Sequence, residues 1–373
     1  MVKLANGQTI IQSFEQFSPK SYAVEGDKVG LQVGTLNKPI KKVMIALDVL
    51  ETVVDEAIDN DVDLIIAHHP VIFKPIKALR TDTGYGRTIE KLIKHNITVY
   101  AAHTNLDVAP GGVNDMMADA LELTDLRVLV ETDTDPLMKL VVFVPEEQAD
   151  NVRQALGGAG AGYIGNYSHC TFNSLGTGAF KPEEGTDPFI GEKGKMEFVD
   201  EVKIETVYHA SQQKKVIQAM TKAHPYEEVA YDLYQIASPG KPLGLGRIGY
   251  LENELTLDEF AEKVKLAFDV KGLRVVGEGN RKVKKVAVLG GDGNKYTFQA
   301  IRQGADVYVT GDLYYHVAHD AMVEGLAMVD PGHNVEKIMK EGVRKKVELF
   351  LRDKKYDTEV ISSNVHTDPF RFL

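Results

Sequence analysis

The chain has 373 residues, 43% hydrophobic and 26% charged, a composition that is ordinary for globular proteins and allows two or three domains. Its formal net charge of -11 argues against non-specific nucleic-acid binding. With one cysteine, Cys170, and no apolar run typical of a signal peptide or membrane span, we expect a cytoplasmic protein without disulfides or a membrane anchor.

The first third of the chain alternates between strand and helix patterns. Buried strands are predicted at 41–49, 62–69 and 97–104, and amphipathic helices at 50–60, 84–96 and 111–123. This alternation is typical of a mostly parallel sheet covered by helices on both faces.

The middle of the chain has a different order of elements. Strands are predicted at 136–145, 166–176, 198–210 and 227–236, and helices at 146–157 and 211–223. The resulting order βαββαβ is typical of a ferredoxin-like unit. Because the flanking segments ETDTDP and ASPGKPLG have linker compositions, we predict a domain inserted at 132–237 into an outer domain formed by 1–131 and 238–373.

The last third returns to the pattern of the first. Strands are predicted at 283–291, 305–312, 326–332 and 357–365, and helices at 294–304, at 314–325 and from about residue 333. The first and last thirds therefore look like two halves of one architecture.

Histidines and carboxylates follow four of the predicted strands. These residues are His68 and His69, His103 and Asp107, Asp312 and His316, and finally His333 and Glu336. Because sites in parallel sheets form beyond the carboxyl ends of the strands, we expect these side chains to meet at one edge of one sheet. Glu336 follows His333 by three residues, which places both side chains on one helical face.

Imidazole and carboxylate ligands together suit zinc, manganese or iron. Adjacent histidines such as His68 and His69 can point at two different ions, and Glu336 or Asp107 can bridge them. Two ions roughly 3.5–4 Å apart would trap a water molecule and lower its pKa, which provides a hydroxide nucleophile. Asp312 and His316 are better placed to orient a ligand or to carry protons.

Simpler interpretations exist for each residue taken alone. A single histidine at a strand end is commonly a satisfied surface or core residue, and Glu336 could simply complement the first turn of a helix. The segment VLGGDGNKY (288–296) is either a tight turn or an anion-binding turn. His224, with the neighbouring Glu227 and Glu228, could bind metal, but a helix-to-strand turn explains it as well. Four strand ends with metal-binding groups are harder to explain by accident, which favours a metal site.

Seven motifs carry a family resemblance: DKVGLQVG, IALDV, IAHHPVIF, AHTNLDVAPGG, GLGRIGYL, TGDLYYH and DPGHNVEK. In combination they resemble the NIF-three-like family, whose bacterial members are often named type 2 homologues of GTP cyclohydrolase I. The resemblance covers residues 1–131 and 238–373. The inserted segment resembles the PII-like or CutA-like module of the longer bacterial members.

The resemblance implies a three-layer α/β/α sandwich with a dinuclear metal site and a toroidal homohexamer. By motif, the ligands of two divalent ions per chain, zinc or alternatively manganese or iron, would be His68, His69, Asp107, His333 and Glu336. His103 or His316 would carry protons, and Asp312 would support a ligand from behind. Many family members place the glutamate four residues after the late histidine, whereas the gap here is three.

Two functions are compatible with these residues. The first is a metal-dependent hydrolase of a small molecule, a nucleotide being one candidate, in which a bridging hydroxide is the nucleophile. The family name leaves ring opening of GTP, phosphoester hydrolysis and amide hydrolysis equally compatible. The alternative is a metal-binding regulatory or interaction protein without turnover, which senses a small effector through its inserted domain. An open coordination position would distinguish a catalytic site from a closed structural one.

Overall fold

The computed structural model describes residues 3–372, and the chain divides into two compact units. Unit 1 combines the segment up to Asp133 with the segment from Leu243 onward, and unit 2 is Thr134–Pro242. The insertion predicted from the sequence is 132–237, so unit 2 begins and ends slightly later in the chain.

The secondary-structure elements are numbered in chain order. The helices are α1 (Gly7–Phe17), α2 (Glu51–Asp59), α3 (Gly84–Lys94), α4 (Thr104–Val108), α5 (Val113–Ala120), α6 (Ala149–Gly158), α7 (Gln213–Ala223), α8 (Leu257–Ala267), α9 (Thr297–Arg302), α10 (Tyr315–Val323) and α11 (Met339–Asp353). Short 3-10 helices lie at Lys20–Tyr22, Glu146–Gln148, Ala210–Gln212, Asn294–Tyr296 and His333–Ile338.

The strands are β1 (Ala5–Asn6), β2 (Gly30–Val33), β3 (Pro39–Ile40), β4 (Lys42–Ala46), β5 (Leu64–Ala67), β6 (Thr98–Ala101), β7 (Thr124–Asp135), β8 (Leu137–Pro145), β9 (Phe172–Phe180), β10 (Glu197–His209), β11 (Tyr231–Gln235), β12 (Lys241–Thr256), β13 (Arg274–Val276), β14 (Lys282–Asp292), β15 (Val307–Gly311), β16 (Ala327–Asp330) and β17 (Glu359–Ser362).

Two helices that the sequence analysis does not predict, α1 and α8, begin at capping side chains. The Asn6 side chain accepts a hydrogen bond from the backbone N–H of Gln8. At α8, Thr256 and Glu259 form a reciprocal capping box that satisfies two backbone donors. The sequence T-x-x-E is the signal that could have identified α8.

Unit 1 contains two larger sheets. The first has the order β17-β4-β5-β6-β2, in which only β2 pairs antiparallel. The second has the order β13-β16-β15-β14-β12-β7, with a parallel centre formed by β14, β15 and β16. The last strand of the chain, β17, therefore completes the sheet of the first third rather than that of the last third.

Helices of unit 1 lie between the two sheets as well as on their outer faces. In β4, Val43 and Ile45 face a cluster that also contains Val286 and Val288 of β14 and residues of α1, α5, α8 and α11. The alternate residues of both strands face outward, where α2 and α3 cover the first sheet and α9 and α10 cover the second. Burial of both faces explains the continuous apolar runs. The predicted three-layer sandwich implies one sheet, and this part of the prediction is wrong because unit 1 contains two larger sheets.

The predicted linkers are strands in the structure. Most of ETDTDP belongs to β7, and Lys241–Gly244 of ASPGKPLG belong to β12. These two strands are neighbours in the second sheet. Pairing satisfies backbone donors and acceptors, and it overrides the turn-like composition of both segments.

Unit 2 has the element order βαββαβ and one antiparallel sheet. Its strand order is β11-β8-β10-β9. Alternate residues of β8 and β10, including Leu140, Val142, Val202 and Ile204, form a buried cluster with α6 and α7 on one face of the sheet. No helix within residues 3–372 is both long and apolar enough to cross a membrane.

The core between the two sheets predicts a stability difference within helix α8. Phe260 is fully buried and Leu266 on the same helix is 79% exposed. We expect Phe260→Ala to lower the free energy of unfolding by about 3–5 kcal/mol, because it removes a buried ring and leaves a cavity. Leu266→Ala should change it by less than about 0.5 kcal/mol. Denaturant unfolding followed by circular dichroism measures both, and similar losses in the two variants would contradict this core.

Candidate metal centre

The carboxyl ends of strands from both sheets of unit 1 supply one cluster. From the first sheet come His68 and His69 after β5 and His103 and Asp107 after β6; from the second come His333 and Glu336 after β16. The expectation of one edge of a single sheet is therefore wrong. In the first and last thirds of the chain, histidines follow buried strands in the same local pattern. Only the pairing of distant strands shows that these strands belong to two sheets rather than one.

Glu336 is at the centre of the cluster. Its Oε2 lies 3.0 Å from His69 Nε2, 3.3 Å from His333 Nε2 and 3.6 Å from His68 Nε2. His68 Nε2 also lies 3.6 Å from Oδ1 of Asp107. A single carboxylate thus contacts imidazoles delivered by both sheets.

The four imidazoles share one orientation, in which Nδ1 bonds to an oxygen and Nε2 is left for the cluster. The partners of Nδ1 are the carbonyl of Ala102 for His68 (2.8 Å), Asp48 for His69 (2.7 Å), Asp312 for His333 (2.7 Å) and Asp27 for His103 (2.9 Å). Such outer partners fix the tautomer and the ring direction of metal-binding histidines.

The buried side of the cluster contains polar atoms that lack a hydrogen-bond partner. His68 is fully buried, and its Nε2 and the Oδ1 of Asp107 have no hydrogen-bond partner within residues 3–372. Buried polar atoms are costly when unpaired, and buried charges are normally paired or coordinate metals. The donor set of imidazole nitrogens and carboxylate oxygens fits zinc, manganese or iron.

Three overlapping groups within the described residues could each hold a cation. They are His68 with His69 and His103; His69 with His333 and Glu336; and His68 with Asp107 and Glu336, each with ligand atoms within 4.8 Å of one another. The last two groups share the Glu336 carboxylate, so together they have the donors for two neighbouring ions bridged by one glutamate.

Three imidazoles of the cluster, those of His68, His69 and His333, have raised pKa values when no metal is bound. Burial on its own would lower the pKa of His68, but the carboxylates around it outweigh burial and raise that pKa. For His69, burial is likewise outweighed by hydrogen bonds to Asp48 and Glu336, which raise its pKa to about 10. The hydrogen bond to Glu336 raises the pKa of His333 to about 9.

The two central carboxylates differ in their protonation. Burial raises the pKa of Asp107 to about 6, although His68 opposes the shift. Burial also acts to raise the pKa of Glu336, but attraction to His68 and hydrogen bonds from the neighbouring imidazoles hold it well below its usual range. The metal-free cluster therefore combines an ionised Glu336 with cationic imidazoles.

Two local backbone features set the position of Glu336. Residues His333–Ile338 form a 3-10 helix, in which side chains three residues apart eclipse, so the gap of three places Glu336 directly beside His333. Gly291 in the segment VLGGDGNKY has a left-handed φ of 64°, and a Cβ there would lie 2.8 Å from Glu336 Oε1. This glycine therefore leaves room for the Glu336 carboxylate.

The structure separates the two residues that follow β15. Asp312, with a left-handed φ of 54°, bonds to His333 from behind. His316 is exposed on α10 and stacks edge-on with Tyr315 at 5.4 Å. The turn at Asp312 ends the strand before His316, so the structure does not bring His316 to the cluster. His103 does lie in it, with its ring 5.3 Å from that of His68.

Two carboxylates that support histidines of the site, Asp27 behind His103 and Asp48 behind His69, are not predicted from the sequence. Asp48 follows β4 in the motif IALDV, and Thr367 donates a hydrogen bond to its second oxygen. The rule that selects the histidines, a position just after a buried strand, applies to this aspartate too.

His224 does not belong to a metal site. Its Nε2 bonds to the Phe143 carbonyl at 2.9 Å and its Nδ1 accepts a hydrogen bond from the Tyr226 N–H at 3.1 Å, so both ring nitrogens stabilise a turn.

Fold and cluster together define a mixed α/β protein with a candidate metal centre formed by two sheets. Residues 5–369 match the Duf34/NIF3 (NGG1p interacting factor 3) family, and the chain belongs to this family. This finding confirms the family resemblance of the sequence motifs.

Relatives and solved structures match the whole chain. The chain is 65% identical over 372 residues to the "GTP cyclohydrolase 1 type 2 homolog" of Halalkalibacterium halodurans and 63% identical over 373 residues to the protein of that name from Bacillus subtilis, with 100% of each chain covered. A crystal structure of a Bacillus cereus protein related to NIF3 is 60% identical, with a TM-score of 0.90 and 100% of both chains covered.

The raised imidazole pKa values predict that metal binding releases protons. At pH 8, His69 and His333 (pKa about 10 and about 9) are protonated without metal, and zinc requires neutral imidazole. We expect at least two protons released per chain and an apparent affinity that rises with pH up to about 10. The free energy of unfolding of the metal-free protein should fall as the pH rises from about 6.5 to about 10. The raised pKa values of His69 and His333 contribute their full stabilisation only below about 6.5, the pKa of histidine in the unfolded chain. Zinc calorimetry in buffers of different protonation enthalpy tests this, and heats that do not depend on the buffer would contradict it.

The contact at Gly291 predicts a second effect on metal binding. Gly291→Ala should displace Glu336 and weaken zinc affinity by about 10–100-fold, as changes around metal ligands commonly do. Gly304→Ala is the matched control, because its φ of 70° is similarly strained but only the tip of Lys285, at 3.9 Å, is near. Circular dichroism should show both variants folded, and equal zinc affinities would contradict the role of Gly291.

Proposed function

We propose that the cluster holds two divalent metal ions and that the protein is a metal-dependent hydrolase of a small molecule. The observation that supports this most directly is that two buried atoms, His68 Nε2 and Asp107 Oδ1, have no hydrogen-bond partner among residues 3–372 and lie in one group with the carboxylate of Glu336. Zinc is the expected metal, with manganese or iron as alternatives.

The proposed ligands divide around Glu336. His68, Asp107 and Glu336 would hold one ion, and His69, His333 and Glu336 the other. The His68 side chain is 0% exposed, whereas that of His333 is 39% exposed. One side of the centre is therefore closed by protein and the other is accessible, which suits a catalytic site better than a closed structural site.

Two bound divalent ions supply Lewis acidity and lower the pKa of a water molecule. The chain's own residues orient the ligands for this chemistry. Asp48 and Asp312 accept hydrogen bonds from the Nδ1–H groups of His69 and His333, which directs the Nε2 lone pairs toward the cluster. His103 is held through its Nδ1 by Asp27 and would carry a proton between solvent and the centre, with Nε2 as the exchanging atom.

The substrate class rests on chemistry and on relatives. Two relatives are named GTP cyclohydrolase 1 type 2 homolog, so a nucleotide is the first candidate to test.

We further propose that unit 2 is an inserted ferredoxin-like domain of PII or CutA type, which its strand order β11-β8-β10-β9 supports. The homohexamer implied by the sequence resemblance is proposed on that basis alone.

Metal content and turnover test the proposal together. Protein purified without added metal should contain about two ions per chain by elemental mass spectrometry. His333→Ala should lose about one ion, and Glu336→Gln should lose both, because its carboxylate serves both sites. Metal-loaded wild type should hydrolyse members of a panel of nucleotides and phosphoesters, and Glu336→Gln should abolish that turnover.

His316→Ala is the matched control, since this exposed histidine lies outside the cluster and its loss should leave metal content and turnover unchanged. Circular dichroism confirms that each variant is folded. No metal in wild type after loading with zinc, manganese or iron would overturn the proposal. Two bound ions without turnover on any substrate would replace the hydrolase with the regulatory alternative.

A further inference from the structure

Unit 2 contains a cavity that the metal centre does not use. It has a volume of about 820 Å³, within the range of small-molecule sites. Its walls are the sheet face opposite α6 and α7, which carries Phe143, Glu201 and Lys203, and the segment 181–190 that follows β9. All of the lining residues belong to unit 2.

Two glycines of β9 open the floor of this cavity. Gly176 pairs with Glu201 across the strands, and a Cβ at Gly176 would meet open space. A Cβ at Gly178 would overlap Oε2 of Glu201 at 2.2 Å. Glycine weakens a strand interior, and it often marks a place where a ligand or another backbone approaches closely. The two glycines of the sequence GTG (176–178) therefore leave the cavity side of the Glu201 carboxylate free of side chains from β9.

Glu201 is a buried carboxylate that pairs with no cation within residues 3–372. The residue is 9% exposed, and its Oε1 accepts a hydrogen bond from the Tyr226 hydroxyl at 3.1 Å. The two lysines of the cavity form ion pairs elsewhere, Lys181 with Glu183 and Lys203 with Glu205. A buried carboxylate is costly without a cationic partner.

His224 does not supply that charge. Its Nδ1 accepts a hydrogen bond from the backbone N–H of Tyr226, which requires the neutral ring, and burial lowers its pKa. Instead it holds the Tyr226 ring in place, at 5.1 Å between ring centroids.

Aromatic rings surround the rest of the space. Tyr226 contacts Phe180 at 5.7 Å and Phe189 at 6.4 Å between centroids. Ring faces attract cations and also bury apolar groups. The lining carries four glutamates against two lysines, and this excess of negative charge disfavours anionic ligands such as phosphates.

We propose that this cavity binds a small molecule in which a cationic amino group is joined to an apolar body. The ammonium group of this molecule bonds to the carboxylate of Glu201 and supplies the positive charge that no side chain within residues 3–372 provides there. The apolar body lies between Phe180, Phe189 and Tyr226. The site lies wholly in unit 2, so its test is independent of the metal centre.

The probe is 2-phenylethylamine, with phenylacetate as a control of similar size and opposite charge. Calorimetry on the full chain should detect binding of the amine and none of the acid. Glu201→Gln keeps the shape of the side chain and removes its charge, and it should weaken amine binding about 10–100-fold. Asp200→Asn removes a charge at an exposed position of the same strand outside the cavity and should leave binding unchanged.

Gly176→Val supplies a second test that leaves the charge in place. Valine suits a strand and would fill the open space, so binding should be lost while circular dichroism is unchanged. No amine binding to wild type at about 10 mM, equal binding of the acid, or full binding by both variants would overturn the proposal. A change of oligomeric state in Gly176→Val by sedimentation would assign the cavity to a second copy and would also overturn it.

Discussion

The site depends on one buried carboxylate that attracts three imidazoles. Glu336 is only 3% exposed, and its Oε2 lies within 3.6 Å of Nε2 of His68, His69 and His333. Like charges that converge in a buried space repel unless an opposite charge lies between them. The carboxylate supplies that charge without metal, and in the same geometry it belongs to two of the groups that could hold a cation. Much of the surrounding structure serves to place this one group.

That placement needs contributions from several levels of the fold. A 3-10 turn at His333–Ile338 aligns Glu336 with His333, and Gly291 leaves space for its second oxygen. The two sheets supply the other groups of the cluster, while a helix layer with one continuous hydrophobic cluster holds the sheets together. Acidic side chains behind the histidines then fix the ring orientations. Packing therefore sets the position of the groups, and hydrogen bonds set their direction.

The sequence shows the parts of the site more clearly than their arrangement. Strand-end patterns predict the strands and helices that carry His68, His69, His333 and Glu336, because period and turn signals are local. They cannot tell that β17 pairs with β4, since that choice depends on contacts more than 300 residues apart in the chain. The direction of His316 depends on the left-handed turn at Asp312, which sequence pattern does not specify. Linker composition misleads at β7 and β12, where pairing decides the structure.

The pairing of β17 with β4 has a consequence for biosynthesis. Strand β4 ends two residues before Asp48, and Thr367, which bonds Asp48, lies just beyond β17. On the ribosome, the N-terminal half of unit 1 emerges with an open sheet edge and must wait for the last strand of the chain. Unit 2 is continuous in sequence and can fold during that delay. The complete cluster, including the support behind His69, therefore forms only after β17 has left the ribosome and paired with β4.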